Sequence, residues 1–208
     1  MRRLFDIEAW PRKNHYRFFK DFDEPFFGIT TQLDFTKAYE HSKDLKASFF
    51  LFYIHRALKS ANSIQEFKLR IDGDELYIYD QINASPTISR DNGTFGFSQL
   101  EYHEDFQSFY TDAMVEVEKV KNSDTLVPGE GLNFIQFSAL PWINFTSISH
   151  ARHFKYRDSI PKISFGKLID VGGKKMMSVS VHVNHAIADG YHVGQFLELF
   201  QTNLNSNS

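Results

Sequence analysis

Alternating apolar and polar residues near the C-terminus predict a strand that ends on a histidine. The alternation runs from Met177 to Asn184, and His185, Asp189 and Gly190 follow it. The apolar positions are Met177, Val179, Val181 and Val183, and the polar ones are Ser178, Ser180, His182 and Asn184. Successive side chains of a strand point to opposite faces, so His185 has the parity of the valines. We therefore expect His185 to lie at the strand's end on the apolar side, where a cleft can open.

Four segments have the residue spacing of helices. Residues 36–44 form one, and Ser48 is a suitable N-cap for a second, largely buried helix that begins after it. Between Glu104 and Lys121 apolar residues recur at spacings of three and one, which predicts a third helix. The last helix has a single apolar stripe, formed by Val193, Phe196, Leu197, Phe200 and Leu204.

The rest of the chain has the two-residue period of strands, interrupted by turn residues. Residues 67–80 alternate on either side of Asp72-Gly73-Asp74, which predicts a hairpin, and Gly172-Gly173 predicts a later turn. Further strands are expected at residues 86–90, 94–102, 132–140, 162–171 and 174–185. Because hairpins outnumber strand–helix–strand units, the pattern predicts an α+β fold with a largely antiparallel or mixed sheet covered by helices.

Composition narrows the class of protein further. The 208 residues fit a single domain, 1–208, with residues 203–208 as a tail that frays. The chain is 42% hydrophobic with 22 phenylalanines, which suffices for a core and an apolar pocket. A net charge of −3 without a basic stripe argues against a nucleic-acid partner. The sequence contains no run of 18 apolar residues, so no membrane span is expected. No apolar segment follows the basic N-terminus, so no secretory signal is expected.

The chain has no cysteine. This excludes disulfides, thiol nucleophiles and thiolate metal sites, and it suits a cytoplasmic protein.

Three interpretations of His185 compete. A single histidine on an apolar face is more often a core residue with a satisfied hydrogen bond than a catalyst. A metal site would draw on His182, His185, Asp189 and His192, but His182 and His185 fall on opposite faces of the strand and cannot bind one ion. No metal is therefore expected. A general base is the third interpretation, because a neutral imidazole can take a proton from a hydroxyl or thiol. In that case Asp189 can brace the turn, and Gly190 can adopt a conformation closed to other residues.

Several segments resemble one family of enzymes. "NHAIADG" at residues 184–190 resembles the His-His-x-x-x-Asp-Gly motif of acyltransferases that use coenzyme A thioesters, and "DGYHVGQFLE" continues like the chloramphenicol acetyltransferases. Residues 5–19, 67–80 and 138–149 resemble further segments of that family in the same order. The resemblance covers roughly residues 5 to 204. It implies the two-layer α+β fold of the coenzyme A-dependent acyltransferases.

The resemblance also implies a reaction and its residues. His185 is the general base that deprotonates the hydroxyl of chloramphenicol or a related acceptor, which attacks the thioester of acetyl-CoA by direct transfer. Ser147 donates a hydrogen bond to the oxyanion, and Asp189 pairs with Arg12. The acceptor-binding positions are Phe18, Phe19, Phe27, Phe97 and Ser164, although each phenylalanine could equally be core packing. Lys167 is a contact for the phosphates of coenzyme A.

The resemblance further implies a homotrimer, with each active site between two subunits. Two residues depart from the family pattern. Asn184 replaces the first histidine of the motif, and Asp23 stands where antibiotic-acetylating members carry an apolar residue. A buried carboxylate is a costly neighbour for an apolar drug, so the acceptor could be another hydroxylated molecule.

Two other functions remain open at this point. One is a catalytically weak relative that serves as a small-molecule binding protein, although such a protein would not need His185, Ser147, Asp189 and Arg12 together. The other is the acyltransferase core of a 2-oxoacid dehydrogenase complex, which ranks last because no Ala/Pro-rich linker is found.

Overall fold

The structure is a computed structural model, which describes residues 1–206. Five α-helices occur in this part of the chain: α1 (Lys13–Phe19), α2 (Thr36–Asp44), α3 (Phe49–Asn62), α4 (Phe106–Lys121) and α5 (Gly190–Asn205). The strands are β1 (Arg2–Leu4), β2 (Phe26–Asp34), β3 (Leu69–Asp72), β4 (Glu75–Tyr79), β5 (Asn83–Ser89), β6 (Phe95–Phe97), β7 (Phe134–Ala139), β8 (Lys162–Phe165), β9 (Ile169–Val171) and β10 (Lys174–Asn184).

Seven of these strands form one sheet in the order β2-β10-β8-β7-β5-β6, with β9 also paired to β10. The β5–β7 and β7–β8 pairs are parallel, and the others are antiparallel. Helix α4 lies against β5 and β6, α3 against β5 and α5, and α5 against β2. The predicted α+β class, with a mixed sheet covered by helices, is confirmed. The predicted hairpin lies in a separate three-stranded sheet, β1-β4-β3.

The two faces of the large sheet differ in polarity. The helix-covered face is apolar, and Val179 and Val181 of β10 are completely buried there. The other face, which we call the polar face, carries two rows of residues in register across β2, β10, β8 and β7. One row is Thr30, Ser180, Ser164 and Ser138, and the next is Gly28, His182, Lys162 and Gln136. Ser164 and Ser180 have no exposed surface, so this face is covered rather than solvated.

Sequence periodicity missed two elements next to the site. Helix α1 has only seven residues and a single buried one, Tyr16, so it has no apolar stripe to recognise. Strand β2 is half-buried along nearly its whole length, which removes the alternation that identifies a strand. It is nevertheless the longest partner of β10, paired from Phe26 to Asp34.

The end of the chain is more ordered than the composition suggested. Helix α5 continues to Asn205, Leu204 is completely buried, and the Asn203 amide donates to the Ser60 hydroxyl at 2.8 Å. The remainder of the predicted tail, residues 207 and 208, lies outside the described part. Within residues 1–206, none of the helices combines the length and the apolar character that a bilayer crossing requires.

Candidate active site

Two aromatic rings hold the imidazole of His185 just beyond the end of β10. The His185 ring stacks on the Phe19 ring, with centroids 4.2 Å apart and planes at 10° to each other. Its centroid lies 4.6 Å from that of the Phe27 ring. The backbone N–H of His185 donates to the Pro25 carbonyl at 2.7 Å, which joins this turn to the segment before β2. His185 Nδ1 is buried, with no hydrogen-bond partner in the described chain. Nδ1 is therefore closed to a ligand, which leaves Nε2 as the other nitrogen of the ring.

Arg12 braces the turn that follows His185. It forms an ion pair with Asp189, the pair that the resemblance implied. Its Nε donates to the Ile187 carbonyl at 3.3 Å, and its Nη2 lies 3.5 Å from the His185 carbonyl. Because only 13% of the Arg12 side chain is exposed, these contacts are largely shielded from water. One guanidinium thus holds both ends of residues 185–189.

Besides pairing with Arg12, Asp189 fixes the start of α5. It is the N-cap, and its carboxylate accepts from the Tyr191 backbone N–H at 3.0 Å and from His192 Nδ1 at 2.7 Å. Burial alone would raise the pKa of Asp189, but the hydrogen bond from His192 and the charge of Arg12 outweigh it and lower the pKa to about 2. No hydrogen bond joins Asp189 to the His185 ring, so Asp189 positions the turn and does not orient the imidazole.

His192 and Glu66 form a second support for this turn, which the sequence did not predict. His192 is buried, and its Nε2 lies 3.6 Å from a Glu66 carboxylate oxygen. Burial would lower the pKa of His192, but the hydrogen bond and charge of Glu66, together with Asp189, raise it. The sequence does contain one indication of this role of His192, which is its position. It stands three residues after the N-cap, where the second residue of a capping box reaches back to the cap.

The expectation for Gly190 is wrong. Gly190 begins α5, and its φ lies outside the left-handed region that favours glycine. A Cβ at Gly190 would meet nothing within 4 Å. The helix cap therefore shapes the turn, and a special glycine conformation does not.

Asn184, which replaces the first histidine of the motif, also stabilises the turn. Its side-chain amide donates to the Asp158 carbonyl at 3.0 Å, and its oxygen accepts from the Ala186 backbone N–H at 2.9 Å. Asp23 is exposed, forms no ion pair with any residue from 1 to 206, and lines a cleft of about 250 Å³ that Asn184 also borders.

One chain brings only some of the predicted acceptor residues to His185. Phe19 and Phe27 contact its ring, and Phe18 packs edge-on against Phe19 with 66% of its own surface exposed. Phe97 lies on β6, at the sheet edge opposite β2 and four strands from β10. Ser164 lies on β8 in the polar face, opposite Ser180.

The loop after β7 covers the polar face and carries the predicted oxyanion donor. Ser178 donates to Asn144 of this loop at 3.0 Å. His150, further along the loop, places its ring edge-on to His182, with centroids 4.8 Å apart. Ser147 lies between these anchors; its side chain is exposed and has no hydrogen-bond partner among residues 1–206.

Two features bear on cofactors. Lys167 is exposed, and its backbone N–H donates to the Ile143 carbonyl at 2.8 Å, which fixes the loop between β8 and β9. Within the described residues no group of three or more histidines and carboxylates could hold a metal ion.

Comparison with solved structures assigns this architecture to a class. A chloramphenicol acetyltransferase superposes with a TM-score of 0.87 at 30% identity, covering 98% of this chain and 100% of that chain. A structure described as a probable dihydrolipoamide acetyltransferase from Listeria monocytogenes has a TM-score of 0.66 at 15% identity, covering 94% of this chain and 90% of that chain. The second likeness concerns the fold alone. The fold is that of the coenzyme A-dependent acyltransferases.

Sequence comparison identifies the family. The sequence model described as chloramphenicol acetyltransferase matches residues 2–201. Chloramphenicol acetyltransferase 3 of Escherichia coli is 28% identical over 208 residues, covering 97% of this chain and 96% of the relative. A chloramphenicol acetyltransferase of Klebsiella sp is 30% identical over 207 residues, covering 94% of this chain and 90% of the relative. The chain belongs to the chloramphenicol acetyltransferase family, and the predicted resemblance is confirmed.

Proposed function

We propose that this protein transfers the acetyl group of acetyl-CoA to a hydroxyl of a small-molecule acceptor while both substrates are bound. Its family makes it an acetyl-CoA-dependent O-acetyltransferase. The relatives are named for chloramphenicol, so chloramphenicol or a related alcohol is the first acceptor to test. The observation that carries the proposal is the imidazole of His185, held between Phe19 and Phe27 with Nε2 as its available nitrogen.

His185 acts as the general base in this proposal. Nε2 takes the proton of the acceptor hydroxyl while that oxygen attacks the thioester carbonyl. The carbon–sulfur bond then breaks, and His185 returns the same proton to the departing thiolate, so the imidazole ends neutral. Proton transfer of this kind contributes about 10²–10⁴-fold to a rate, and holding two substrates together contributes further.

A hydroxyl near the polar face is proposed to stabilise the oxyanion. Ser147 is the residue implied by the resemblance. Ser138 is a second candidate, because it ends the row of hydroxyls beside Ser164 while Ser147 lies exposed in the covering loop. Replacing the true donor by alanine is expected to lower kcat by roughly 10²–10³-fold. Comparing Ser147→Ala with Ser138→Ala therefore distinguishes the two.

The arrangement within one chain supports the proposed homotrimer. His185 has the parity of the valines, whereas Ser164 lies on the polar face, so within one subunit the two belong to opposite faces of the sheet. In the trimer, His185 of one subunit would face the polar face of its neighbour. Large apolar side chains that are more than half exposed are available for such contacts: Phe18, Trp142, Ile143 and Phe154.

Acetyl-CoA is the proposed co-substrate, and Lys167 is the proposed contact for its phosphates. The lysine is exposed on a loop whose backbone is fixed, as a phosphate contact requires. Because acetyl-CoA is needed for turnover, we propose that the protein acts in the cytoplasm.

The test is release of free coenzyme A from acetyl-CoA with chloramphenicol or a panel of alcohols, followed with a thiol reagent. The protein contains no cysteine, so it contributes no background. His185→Ala is expected to lower kcat by about 10³-fold without unfolding the protein, and the exposed His15→Ala serves as the matched control.

The alternative is a small-molecule binding protein. Acceptor binding without acetyl transfer, across the whole panel, would support that alternative and contradict the enzyme. Turnover that survives His185→Ala would contradict the role of His185.

A further inference from the structure

Two histidine rings meet on the polar face, away from the residues that hold His185. His150 and His182 lie with ring centroids 4.8 Å apart and planes at 89°, so the edge of one ring points at the face of the other. His182 comes from β10 and His150 from the loop above it. Both side chains are half-buried, which leaves part of each ring accessible to a ligand.

The position of the His182 ring depends on Gly28. A Cβ built at Gly28, directly opposite on β2, would lie 2.2 Å from His182 Nε2. The φ of Gly28 is not in the left-handed region, so the backbone itself does not require glycine there. The ring lies flat on β2 because no side chain occupies that position, and its Nδ1 is 3.4 Å from the Ser180 hydroxyl.

Hydroxyl groups surround this pair, and the nearby charges are already paired. His150 Nε2 lies 3.5 Å from the Ser164 hydroxyl, and the Thr30 hydroxyl donates to Ser180 at 3.0 Å. Lys162, beside His182 in its row, is 7% exposed and bonded to Asp158 at 2.5 Å. Arg152, two residues after His150, is paired with Glu24. An anionic ligand would therefore find no unpaired cation at the histidines.

The histidines themselves are uncharged near neutral pH. Burial lowers the pKa of His150 to about 4, assisted by the charge of Lys162. Burial also lowers the pKa of His182. A neutral imidazole offers one hydrogen-bond donor and one acceptor. An apolar aryl group over the pair would offer no polar partner to imidazole nitrogens whose contacts with Ser180 and Ser164 are long, at 3.4 and 3.5 Å, which is unfavourable.

We propose that His150 and His182 are specificity-determining residues that select a neutral, polyhydroxylated acceptor of the sugar or polyol class. The proposal rests on the proposed function, because that function places the polar face opposite His185 of a neighbouring subunit. Because the contacts of Ser164 and Ser180 with these rings are long, at 3.5 and 3.4 Å, hydroxyls of such an acceptor can bond the imidazole nitrogens in their place.

The experiment measures kcat and KM for coenzyme A release with four acceptors: methyl glucoside, sorbitol, the anion gluconate and chloramphenicol. The variants are His150→Leu, His182→Leu and His182→Gln, with His15→Leu as a control on the exposed surface. The expected result is a higher kcat/KM for the two neutral polyols than for gluconate or chloramphenicol. Each leucine variant should lower the polyol-to-chloramphenicol ratio of kcat/KM by about 3- to 10-fold, mainly through KM, as for a lost neutral hydrogen bond. His182→Gln, which keeps a donor and an acceptor, should recover most of the ratio.

The outcomes separate this proposal from the proposed function. Efficient use of chloramphenicol or gluconate but not of the polyols would overturn the acceptor class and leave acetyl transfer intact. A polyol-to-chloramphenicol ratio that the leucine variants do not change would overturn the role of the pair. Coenzyme A release no greater than that of His185→Ala with every acceptor would overturn the proposed function itself. Thermal unfolding of each variant identifies any that fails to fold, and if His182→Leu is such a variant, His182→Gln provides the comparison at that position.

Discussion

The two sides of β10 place histidines in opposite kinds of surroundings. On the apolar side, His185 is held by the Phe19 ring, the Phe27 ring and a turn braced by Arg12. On the polar side, His182 touches a second histidine and a hydroxyl, and its place depends on an absent side chain at Gly28. The first environment fixes one nitrogen in position. The surroundings of His182 instead offer several hydrogen-bonding groups to a ligand on the polar face.

This difference shows how one strand can serve two purposes. A period of two sends successive side chains to opposite faces, so a single segment can hold a base on one face and recognition groups on the other. Under the proposed function the two faces meet on different subunits, which is why that function depends on the proposed trimer.

The largest effect is expected from breaking the brace on the His185 side. Arg12→Ala removes an ion pair and leaves the partly buried Asp189 without it, so the free energy of unfolding should fall by about 2 kcal/mol. The loosened turn should also lower kcat. Urea unfolding and initial rates measure both effects, and Arg2→Ala, which breaks the exposed pair with Asp72, is the matched control. Equal, small losses from the two variants would show that Arg12 does not brace the turn.

A smaller effect is expected from Gly28→Ala on the polar side. The added methyl group would collide with the His182 ring, and displacing that ring should cost about 1 kcal/mol and change acceptor preference in the direction of His182→Leu. Gly194→Ala is the control, because a Cβ there meets nothing within 4 Å and the residue is helical. That variant should be as stable as the parent or up to about 1 kcal/mol more stable. If Gly28→Ala behaves like Gly194→Ala, the ring does not depend on the glycine.

The last prediction concerns acid stability on the His185 side. The folded-state pKa of Asp189 is about 2, below its ordinary value of 3.8, so the folded state favours the charged carboxylate. The stabilisation it provides is complete above pH 4 and is lost as the pH falls toward 2. Asp189→Asn should therefore flatten the fall in unfolding free energy between about pH 4 and pH 2, measured by urea unfolding at several pH values. A slope unchanged from the parent would assign that acid sensitivity to other carboxylates.

Local sequence signals were sufficient for several elements and insufficient for others. Residues 36–44 form α2 as predicted, and Ser48 caps α3 by accepting from the Leu51 backbone N–H at 3.4 Å. These elements follow from interactions within a few residues. The predicted strand at 162–171 instead divides into β8 and β9, because the Gly166 and Lys167 backbone N–H groups bond to Ser178 and Ile143. Such long-range partners cannot be inferred from a local pattern.

The sequence by itself determined the parity of β10, and so the face on which His185 emerges, because alternation along a strand is a local property. It also carried the family resemblance. Only the tertiary structure decided that Phe19 and Phe27 hold the imidazole, that Glu66 supports His192, and that His150 reaches His182. Those contacts join residues far apart in the chain. They form only when burial of the whole core compensates for the conformational entropy lost in bringing such residues together.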